Sequence, residues 1–393
     1  MTNPVDPVAL SVDLMRCPSV TPLDAGALDV LQTALARLGF ACTRLPFTRP
    51  GTADVDNLYA RYGHDAPNFC FAGHMDVVPP GDMAAWASDP FEPRLQDGVL
   101  YGRGAADMKG AIAAFVAAAE RVIRKCGKAL PGSISLLITG DEEGPAINGT
   151  IRMLDWLRLN HQKLDHCLVG EPTSAASLGD MVKIGRRGSV NVTLTFLGTQ
   201  GHVAYPRQAD NPIPRLLETV QRLLDFSLDA GNEHFQPSNL EVTSIDVGNA
   251  ATNVIPGQTA ARLNIRFNDM HTSKSLIAWI RQECEFVTAK RGGDYRMDAS
   301  VTGEAFLTPP GPFSTLVANA IASVTGLAPA LSTTGGTSDA RFIKDHCPVV
   351  EFGLVGLSQH KANEHAAIAD VQRLADIYEA VLLRYFSGGL PNP

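Results

Sequence analysis

The sequence predicts an α/β fold in which a mainly parallel sheet is flanked by helices and a smaller α+β domain is inserted. Over residues 24–170, strand-like apolar runs and helical patterns follow each other in turn. From about residue 188 the predicted strands instead show alternating apolar and polar residues. After about residue 303 the first pattern returns. At 393 residues the chain exceeds the size at which one core usually stops growing. We therefore expect a first domain of residues 1–187 and 303–393 and an inserted domain of residues 188–302.

The first part of the chain alternates helices and strands. Asp24 is predicted to open a helix through residues 28–38, and Gly39 to end it in the left-handed conformation of a C-cap. Further strands are predicted over 68–73, 133–140 and 166–170, and helices over 108–125 and 150–160. Strand and helix in turn favour right-handed crossovers and a sheet covered on both faces.

The insertion shows a β-α-β-β-α-β pattern, which is typical of a ferredoxin-like domain with two helices on one face of an antiparallel sheet. Its strands are predicted over 189–198, 239–248, 259–268 and 295–303, and its helices over 211–226 and 275–290. A strand over 349–356 and an amphipathic helix over 370–386 then complete the first domain.

Composition indicates a small-molecule substrate. The net charge is −8 and no Lys/Arg-rich run is present, which argues against nucleic acid or an anionic membrane surface as a partner. The chain begins without the pattern of an export signal and contains no stretch of about 18 apolar residues, so we expect a soluble, cytoplasmic protein. Seven widely spaced cysteines without a C-x-x-C pair argue against disulfides and thiolate zinc sites.

Five short segments supply side chains of the kinds that bind metals. Four of the five follow strand-like runs, and the carboxyl ends of neighbouring strands meet in one crevice. Zinc accepts imidazole nitrogen and carboxylate oxygen, and two histidines with three carboxylates suffice for two ions. The candidates are His74 and Asp76, Asp107, Glu142 and Glu143, Glu171, and either His360 or His365.

The candidates divide into distinct roles. Two neighbouring metals need a bridging ligand with two oxygens, for which we select Asp107. The side chains of Glu142 and Glu143 diverge at a strand end, so Glu143 can bind metal while Glu142 faces water as a general base. Asp76 is expected to accept the imidazole N–H of His74 and thereby to set its tautomer.

These segments resemble the M20 family of metallopeptidases and deacylases. The resemblance extends over essentially the whole chain and rests on GHMDVVP, GRGAADMKG, DEEG, GEP and HKANE. It implies a zinc-peptidase-like catalytic domain that holds two Zn²⁺ per subunit, and it selects His360 over His365. One zinc would be held by His74 and Glu171 and the other by Glu143 and His360, with Asp107 bridging, Glu142 as acid/base and a cis peptide after Asp107. Cobalt or manganese also accept such ligands.

The resemblance also implies roles for the insertion, as a lid and as the dimerisation domain of a homodimer. His202 would reach the partner subunit's site and stabilise the oxyanion. The implied contacts to an anionic substrate are Arg186, Tyr205, Asn253, Arg266, Gly336 and Thr337. Arg187 is expected to be a structural or a surface residue, and Gly356 stands where the family usually carries Asn.

Within the family, a further set of segments resembles the members that hydrolyse the amide bond of an N-succinylated diamino acid in the synthesis of lysine and cell-wall precursors. These segments are DEEGPAINGT, KIGRRGS, GTQGHVAYP, TNVIPG, STTGGTSDARFI and HKANE. A succinyl group ends in a carboxylate, which arginine recognises through paired hydrogen bonds. Two alternatives remain at this point. One is a family member that removes acetyl instead of succinyl, and the other is a non-catalytic metal-binding or dimerisation module.

Overall fold

The chain folds into two units, which a computed structural model describes for residues 4–388. The first unit contains the chain up to Ile184, the segment Thr308–Ser332 and the chain from Ser338 onwards. The second unit contains Gly185–Leu307 and the short segment Thr333–Thr337, which the sequence assigned to the first domain.

The elements before residue 185 alternate much as the sequence predicts. They are α1 (Pro7–Met15), α2 (Ala27–Arg37), β1 (Ala41–Arg44), β2 (Leu58–Tyr62), β3 (Asn68–His74), β4 (Arg94–Gln96), β5 (Val99–Tyr101), α3 (Lys109–Cys126), β6 (Ser133–Thr139), α4 (Thr150–Leu159), β7 (His166–Val169) and β8 (Met181–Lys183).

The second unit follows in the chain. Its elements are β9 (Gly185–Arg186), β10 (Gly188–Leu197), β11 (Gly201–His202), α5 (Ile213–Asp225), β12 (Asn239–Asp246), β13 (Val254–Ile255), β14 (Gln258–Phe267), α6 (Ser273–Arg291), β15 (Asp294–Gly303) and β16 (Phe306–Leu307). The first unit is then completed by α7 (Pro312–Thr325), β17 (Ala330–Ser332), α8 (Ala340–Ile343), β18 (Val349–Glu351), β19 (His365–Ala367) and α9 (Ile368–Phe386).

The main sheet of the first unit has the strand order β1-β2-β6-β3-β7-β18-β8-β17. Its four central strands, β6, β3, β7 and β18, are parallel. At one side β2 and β1 add in antiparallel pairs; at the other β8 is antiparallel to β18 and parallel to β17. The prediction of a parallel sheet is therefore confirmed for the centre, and the whole sheet is mixed. Helix α3 packs against α1 and α9, and α9 against α7.

Two predicted boundaries are wrong. Helix α2 begins at Ala27, because Gly26 takes a left-handed conformation at φ 85°; Asp24 still accepts the Leu28 amide at 2.8 Å. The strand predicted over 349–356 ends at Glu351. There the chain crosses Glu171 so closely that a Cβ on Gly353 would lie 2.5 Å from the carbonyl oxygen of Glu171.

The second unit has the predicted β-α-β-β-α-β order. Its antiparallel sheet runs β12-β14-β10-β15, and α5 and α6 pack on it. The alternation is visible in β10, where Val190, Val192, Leu194 and Phe196 are buried in the helix-covered core. A ferredoxin-like arrangement results. Among the residues that the structure describes, none of the helices in either unit is long and apolar enough to cross a bilayer.

Candidate metal centre

The predicted ligands meet at one edge of the main sheet. His74 is the last residue of β3, Glu142 and Glu143 follow β6, and Glu171 follows β7. These three strands are parallel neighbours in the order β6-β3-β7, so their carboxyl ends lie side by side. Topology thereby brings together residues that lie almost a hundred positions apart.

Asp107 joins two groups of ligands. Its Oδ1 lies 3.0 Å from His74 Nε2, and its Oδ2 lies 3.2 Å from His360 Nε2. The same His74 nitrogen is 3.8 Å from Glu171 Oε1, and the His360 nitrogen is 2.9 Å from Glu143 Oε1. Each oxygen of the shared carboxylate therefore faces a different group. Asp107 stands two residues before the start of α3, and its peptide bond to Met108 is cis.

The donor set fits two divalent cations. Within each group, Asp107 with His74 and Glu171 or Asp107 with Glu143 and His360, the ligand atoms lie within 4.8 Å of one another. At the metal–ligand distances of zinc, about 2.0–2.1 Å, two ligand atoms of a tetrahedral site lie about 3.3 Å apart. The measured separations of 2.9–3.8 Å lie on either side of that value.

The two groups differ in their access to solvent. The His74 side chain is 1% exposed, whereas that of His360 is 49% exposed. His365, the other candidate histidine, belongs to neither group: its Nδ1 lies 2.9 Å from the carbonyl oxygen of Asn363 and its ring packs near Tyr101. The geometry thus favours His360 as the ligand.

The carboxylates that surround the two histidines raise the pKa values of both imidazoles. The carboxylates of Asp107 and Glu143 raise the pKa of His360 to about 10. Burial alone would lower the pKa of His74, but the Asp107 carboxylate raises it well above its ordinary value. Burial likewise acts to raise the pKa of Asp107, yet the two imidazoles hold it well below its usual range. Metal binding at these residues would require the imidazole nitrogens to lose their protons.

Asp76 orients His74, but not through its carboxylate as the sequence analysis expected. The Nδ1 of His74 lies 2.8 Å from the carbonyl oxygen of Asp76 and 3.8 Å from its carboxylate. A carbonyl oxygen only accepts, so Nδ1 carries the proton and Nε2 is directed towards the ligand cluster. The physical reason for the difference is the strand end itself, which turns the Asp76 carbonyl back towards the ring.

The Asp76 carboxylate instead holds the segment that follows β6. It accepts the amide N–H groups of Glu142 and Glu143 at 3.3 and 3.0 Å. Burial raises the pKa of Asp76 to about 6. Asp141 shapes the other side of this turn by accepting the amides of Ile147 and Asn148, both at 2.8 Å. Both carboxylates therefore act on the position of Glu142 and Glu143.

Glu142 belongs to neither of the two groups that contain Asp107, but it forms a third group of possible ligands with His74 and Glu143. Its ligand atom is within 4.8 Å of those of His74 and Glu143. Burial, together with the carboxylates of Glu171 and Asp339, raises the pKa of Glu142 well above its ordinary value. A carboxylate with a raised pKa at such a position is suited to take and return a proton.

The second unit brings His202, Tyr205 and Asn253 together. His202 is paired with Val254 across β11 and β13, Asn253 directly precedes β13, and the Val203 amide donates to the Asn253 carbonyl at 3.0 Å. The rings of His202 and Tyr205 are 5.7 Å apart. His202 Nδ1 accepts the Ala204 amide at 3.1 Å, so a neutral ring carries its proton on Nε2, and the residue is exposed.

The remaining predicted substrate residues also lie in the second unit. Arg186 pairs with Phe306 across β9 and β16, and its Nη1 would be 2.7 Å from a Cβ placed on Gly335, so its guanidinium lies against that turn. Gly336 and Thr337 follow in the same turn, and Gly336 has open space where a side chain would begin. Arg266 pairs with Ser189 and Asn239 across neighbouring strands.

The structure also shows the surroundings of Arg187 and Gly356, for which expectations were drawn from the sequence. Arg187 donates to Asn239 Oδ1 at 3.0 Å and to the Pro237 carbonyl at 3.4 Å, which fits the structural role, one of the two expected of it. A Cβ on Gly356 would lie 2.7 Å from the Pro172 carbonyl and 2.8 Å from Gln359 Oε1. The place of the family's usual Asn side chain is therefore filled.

The sequence analysis missed two buried carboxylates near the centre. Glu364 accepts the amides of Ala106 and Asp107 at 3.0 and 3.1 Å. Asp339 accepts the Thr150 hydroxyl at 2.6 Å. The signal for Glu364 was present, because it closes the HKANE segment that supplied His360.

Comparison with known proteins agrees with this geometry. The model of "Peptidase family M20/M25/M40" matches residues 70–384. A protein of Parvibaculum lavamentivorans named succinyl-diaminopimelate desuccinylase is 60% identical over 386 residues, covering 98% of this chain and 97% of its own. A protein of Rhodospirillum centenum with the same name is 61% identical over 387 residues, covering 98% and 99%.

Solved structures share the fold at low identity. An M20 family metallo-carboxypeptidase from Sulfolobus solfataricus aligns with a TM-score of 0.78 at 17% identity, covering 97% of this chain and 99% of its own. A dinuclear metal binding peptidase of the M20 family from Bacillus subtilis aligns with a TM-score of 0.70 at 12% identity, covering 97% and 98%. At this identity the likeness shows a common fold.

Proposed function

The chain belongs to peptidase family M20/M25/M40 and is a metal-dependent hydrolase, and we propose that its substrate is N-succinyl-LL-2,6-diaminopimelate. Hydrolysis of the amide bond gives succinate and LL-2,6-diaminopimelate for lysine and cell-wall precursor synthesis. The observation that carries the proposal is the name shared by the full-length relatives. We propose a cytoplasmic location because the substrate is a biosynthetic intermediate.

We propose that each subunit holds two Zn²⁺ ions, one with His74 and Glu171 and the other with Glu143 and His360, with Asp107 between them. Cobalt or manganese suit the same nitrogen and oxygen donors. Bound cations of this kind polarise the amide carbonyl and lower the pKa of water. The all-oxygen-and-imidazole donor set supports this assignment.

We assign the proton transfers of the reaction to Glu142. It takes a proton from the attacking water and passes that proton to the leaving nitrogen, so that the amine departs neutral. Its raised pKa matches both steps, and the Asp76 carboxylate holds its main chain in place. The Nε2–H of His202 is the donor that we assign to the oxyanion of the tetrahedral intermediate.

Recognition of the succinyl carboxylate requires positively charged side chains at the substrate site, although the chain as a whole has a net charge of −8. We assign this role to Arg186 and Arg266, because guanidinium groups match carboxylates in geometry. Tyr205, Asn253, Gly336 and Thr337 are assigned as further contacts. The exposed position of Tyr205 and Asn253 and the open turn at Gly336 support these assignments.

We propose that the protein works as a homodimer paired through the second unit, so that His202 serves the partner's centre. The exposed His202 supports this arrangement, because a donor for catalysis has to face a substrate. An acetyl-removing member of the family is the alternative. The non-catalytic module considered from the sequence is excluded by membership in a hydrolase family.

The substrate is tested by comparing Arg186→Ala with its neighbour Arg187→Ala. Loss of a charge-assisted contact of about 1.5–3 kcal/mol should lower kcat/KM for the succinyl substrate about 10- to 100-fold and leave acetyl substrates little changed. Arg187→Ala should act alike on both substrates. The measurement is amine release from succinyl and acetyl derivatives of the same amino acid, and equal losses in Arg186→Ala would favour the acetyl-removing alternative.

A further inference from the structure

Three loops of the first unit meet at one buried ion pair beside the metal centre. The side chains of Arg103 and Glu364 are each 1% exposed, and Nη1 lies 2.7 Å from Oε2. Arg103 also donates to the carbonyl oxygens of Pro79 and Lys361, both at 3.3 Å, and its guanidinium lies 5.1 Å from the centre of the Trp86 ring. A charge pair this deeply buried persists only when further hydrogen bonds satisfy it.

The second oxygen of Glu364 holds the main chain of the shared metal ligand. Oε1 accepts the amide N–H groups of Ala106 and Asp107 at 3.0 and 3.1 Å. The carbonyl oxygen of Glu364 accepts the Gly102 amide at 2.9 Å. Glu364 therefore contacts the loop that carries Asp107 through its side chain and its backbone.

Glu364 is also part of the loop that carries His360. Within that loop His360 and Asn363 adopt left-handed conformations, with φ of 61° and 57°, which non-glycine residues keep only when their surroundings hold them. The Asn363 side chain accepts the Ala87 amide at 2.7 Å and donates to the Ala85 carbonyl at 3.0 Å. The loop is thus fastened at Asn363 on one side and at Glu364 on the other.

We propose that Glu364 is a positioning residue of the metal centre, which fixes the separation of Asp107 and His360 and so the site of the cation that both bind. The proposal rests on the proposed function only in placing cations at this centre. Groups that hold the ligands without touching the metal typically contribute 10- to 100-fold to metal affinity. We expect an effect of about that size here.

The test variant is Glu364→Gln. A glutamine keeps an oxygen for the two amides but turns its NH₂ towards Arg103, donor against donor. The matched control is Glu120→Gln in α3, where another buried carboxylate accepts the Val5 amide at 2.6 Å and pairs with Arg124 at 2.7 Å without any predicted ligand nearby. Both variants lose one buried charge.

The readouts are the Zn²⁺ dissociation constants from calorimetry, the visible spectrum of the Co²⁺-loaded protein, and thermal unfolding of the metal-free protein. Glu364→Gln should raise at least one dissociation constant about 10- to 100-fold and change the Co²⁺ spectrum. Glu120→Gln should lower the thermal midpoint and leave both metal readouts at wild-type values. Should Glu364→Gln fail to fold, Arg103→Lys, which keeps the charge pair with fewer donors, should weaken binding in the same direction.

Wild-type affinities and spectrum in folded Glu364→Gln would overturn the proposal, and so would equal weakening in Glu120→Gln, which would indicate general destabilisation. A wild-type protein that binds two cations but releases no amine would refute the proposed function and leave the role of Glu364 standing. A wild-type protein that binds no cation would overturn both.

Discussion

At the scale of single residues, the metal centre depends on which atom each side chain presents to its neighbours. His74 is the clearest case, because the proton on Nδ1 is held by a carbonyl and Nε2 is directed to the ligand cluster. The residue types could be predicted from the sequence, since imidazole and carboxylate are the donors that zinc accepts. The atom that holds the tautomer could not, because Asp76 offers both a carboxylate and a carbonyl and only the fold decides between them.

Glu142→Gln isolates the proton transfer from metal binding. The amide keeps the size of the side chain but cannot take a proton from water, so kcat should fall about 10²- to 10⁴-fold. Calorimetry with Zn²⁺ should show that both cations still bind, because Glu142 belongs to neither group that contains Asp107. Glu120→Gln serves as the control for loss of a buried carboxylate. Retained turnover in Glu142→Gln would remove the acid/base role.

The pH dependence of metal binding follows from the two histidines. The neighbouring carboxylates raise the pKa of His360 to about 10, so its ring is protonated at pH 7, and they also raise the pKa of His74 above its ordinary value. Because the imidazole pKa values are higher in the folded than in the unfolded protein, the histidines stabilise the metal-free fold below the unfolded pKa of about 6.5. For His360 this stabilisation is lost as the pH rises through about 10. Zn²⁺ must displace the imidazole protons, so affinity should increase with pH between 6.5 and 8.5.

Proton release can be measured by calorimetry in two buffers of different ionisation enthalpy. Binding at pH 7 should release at least about one proton, which comes from His360. The variant His365→Gln, which changes a histidine outside both groups, should leave this number unchanged. Affinity that does not vary with pH, without proton release, would show that His74 and His360 are not ligands.

At the scale of elements, the strands that carry ligands were the most predictable. β3, β6 and β7 are predominantly apolar and their burial is complete or nearly so, and such runs need little tertiary context to be recognised. The strand predicted over 349–356 was too long because Gly353 passes close to the Glu171 main chain, a contact between distant segments. Periodicity within one segment carries no information about such a crossing.

Several short strands were not predicted because too few residues are available to show a pattern. Strands β4, β5, β8 and β17 have three residues each, too few to show a period. Helix α1 did carry a local signal, since Asp6 accepts the Val8 amide at 2.9 Å and Pro7 stands in the first turn. Asp6 and Pro7 would therefore have allowed α1 to be predicted from the sequence.

At the scale of the whole molecule, the proposed dimer predicts complementation between two inactive variants. His202→Ala removes the donor given to the partner, and Glu142→Gln disables a subunit's own centre. A mixed dimer then contains one complete centre, so random mixing of subunits should restore about a quarter of the wild-type rate. Tyr205→Ala mixed with His202→Ala should fail to do so if both residues serve the same partner site. Fully active monomers in sedimentation would contradict the dimer.

The central claim is that Asp107 joins two cations, each held by its own histidine and carboxylate. The most direct measurement is anomalous X-ray diffraction from crystals loaded with Zn²⁺. We predict two peaks that share Asp107, one bound by His74 and Glu171 and the other by Glu143 and His360. Peaks elsewhere, or an Asp107 carboxylate beyond coordination distance of both cations, would contradict the claim.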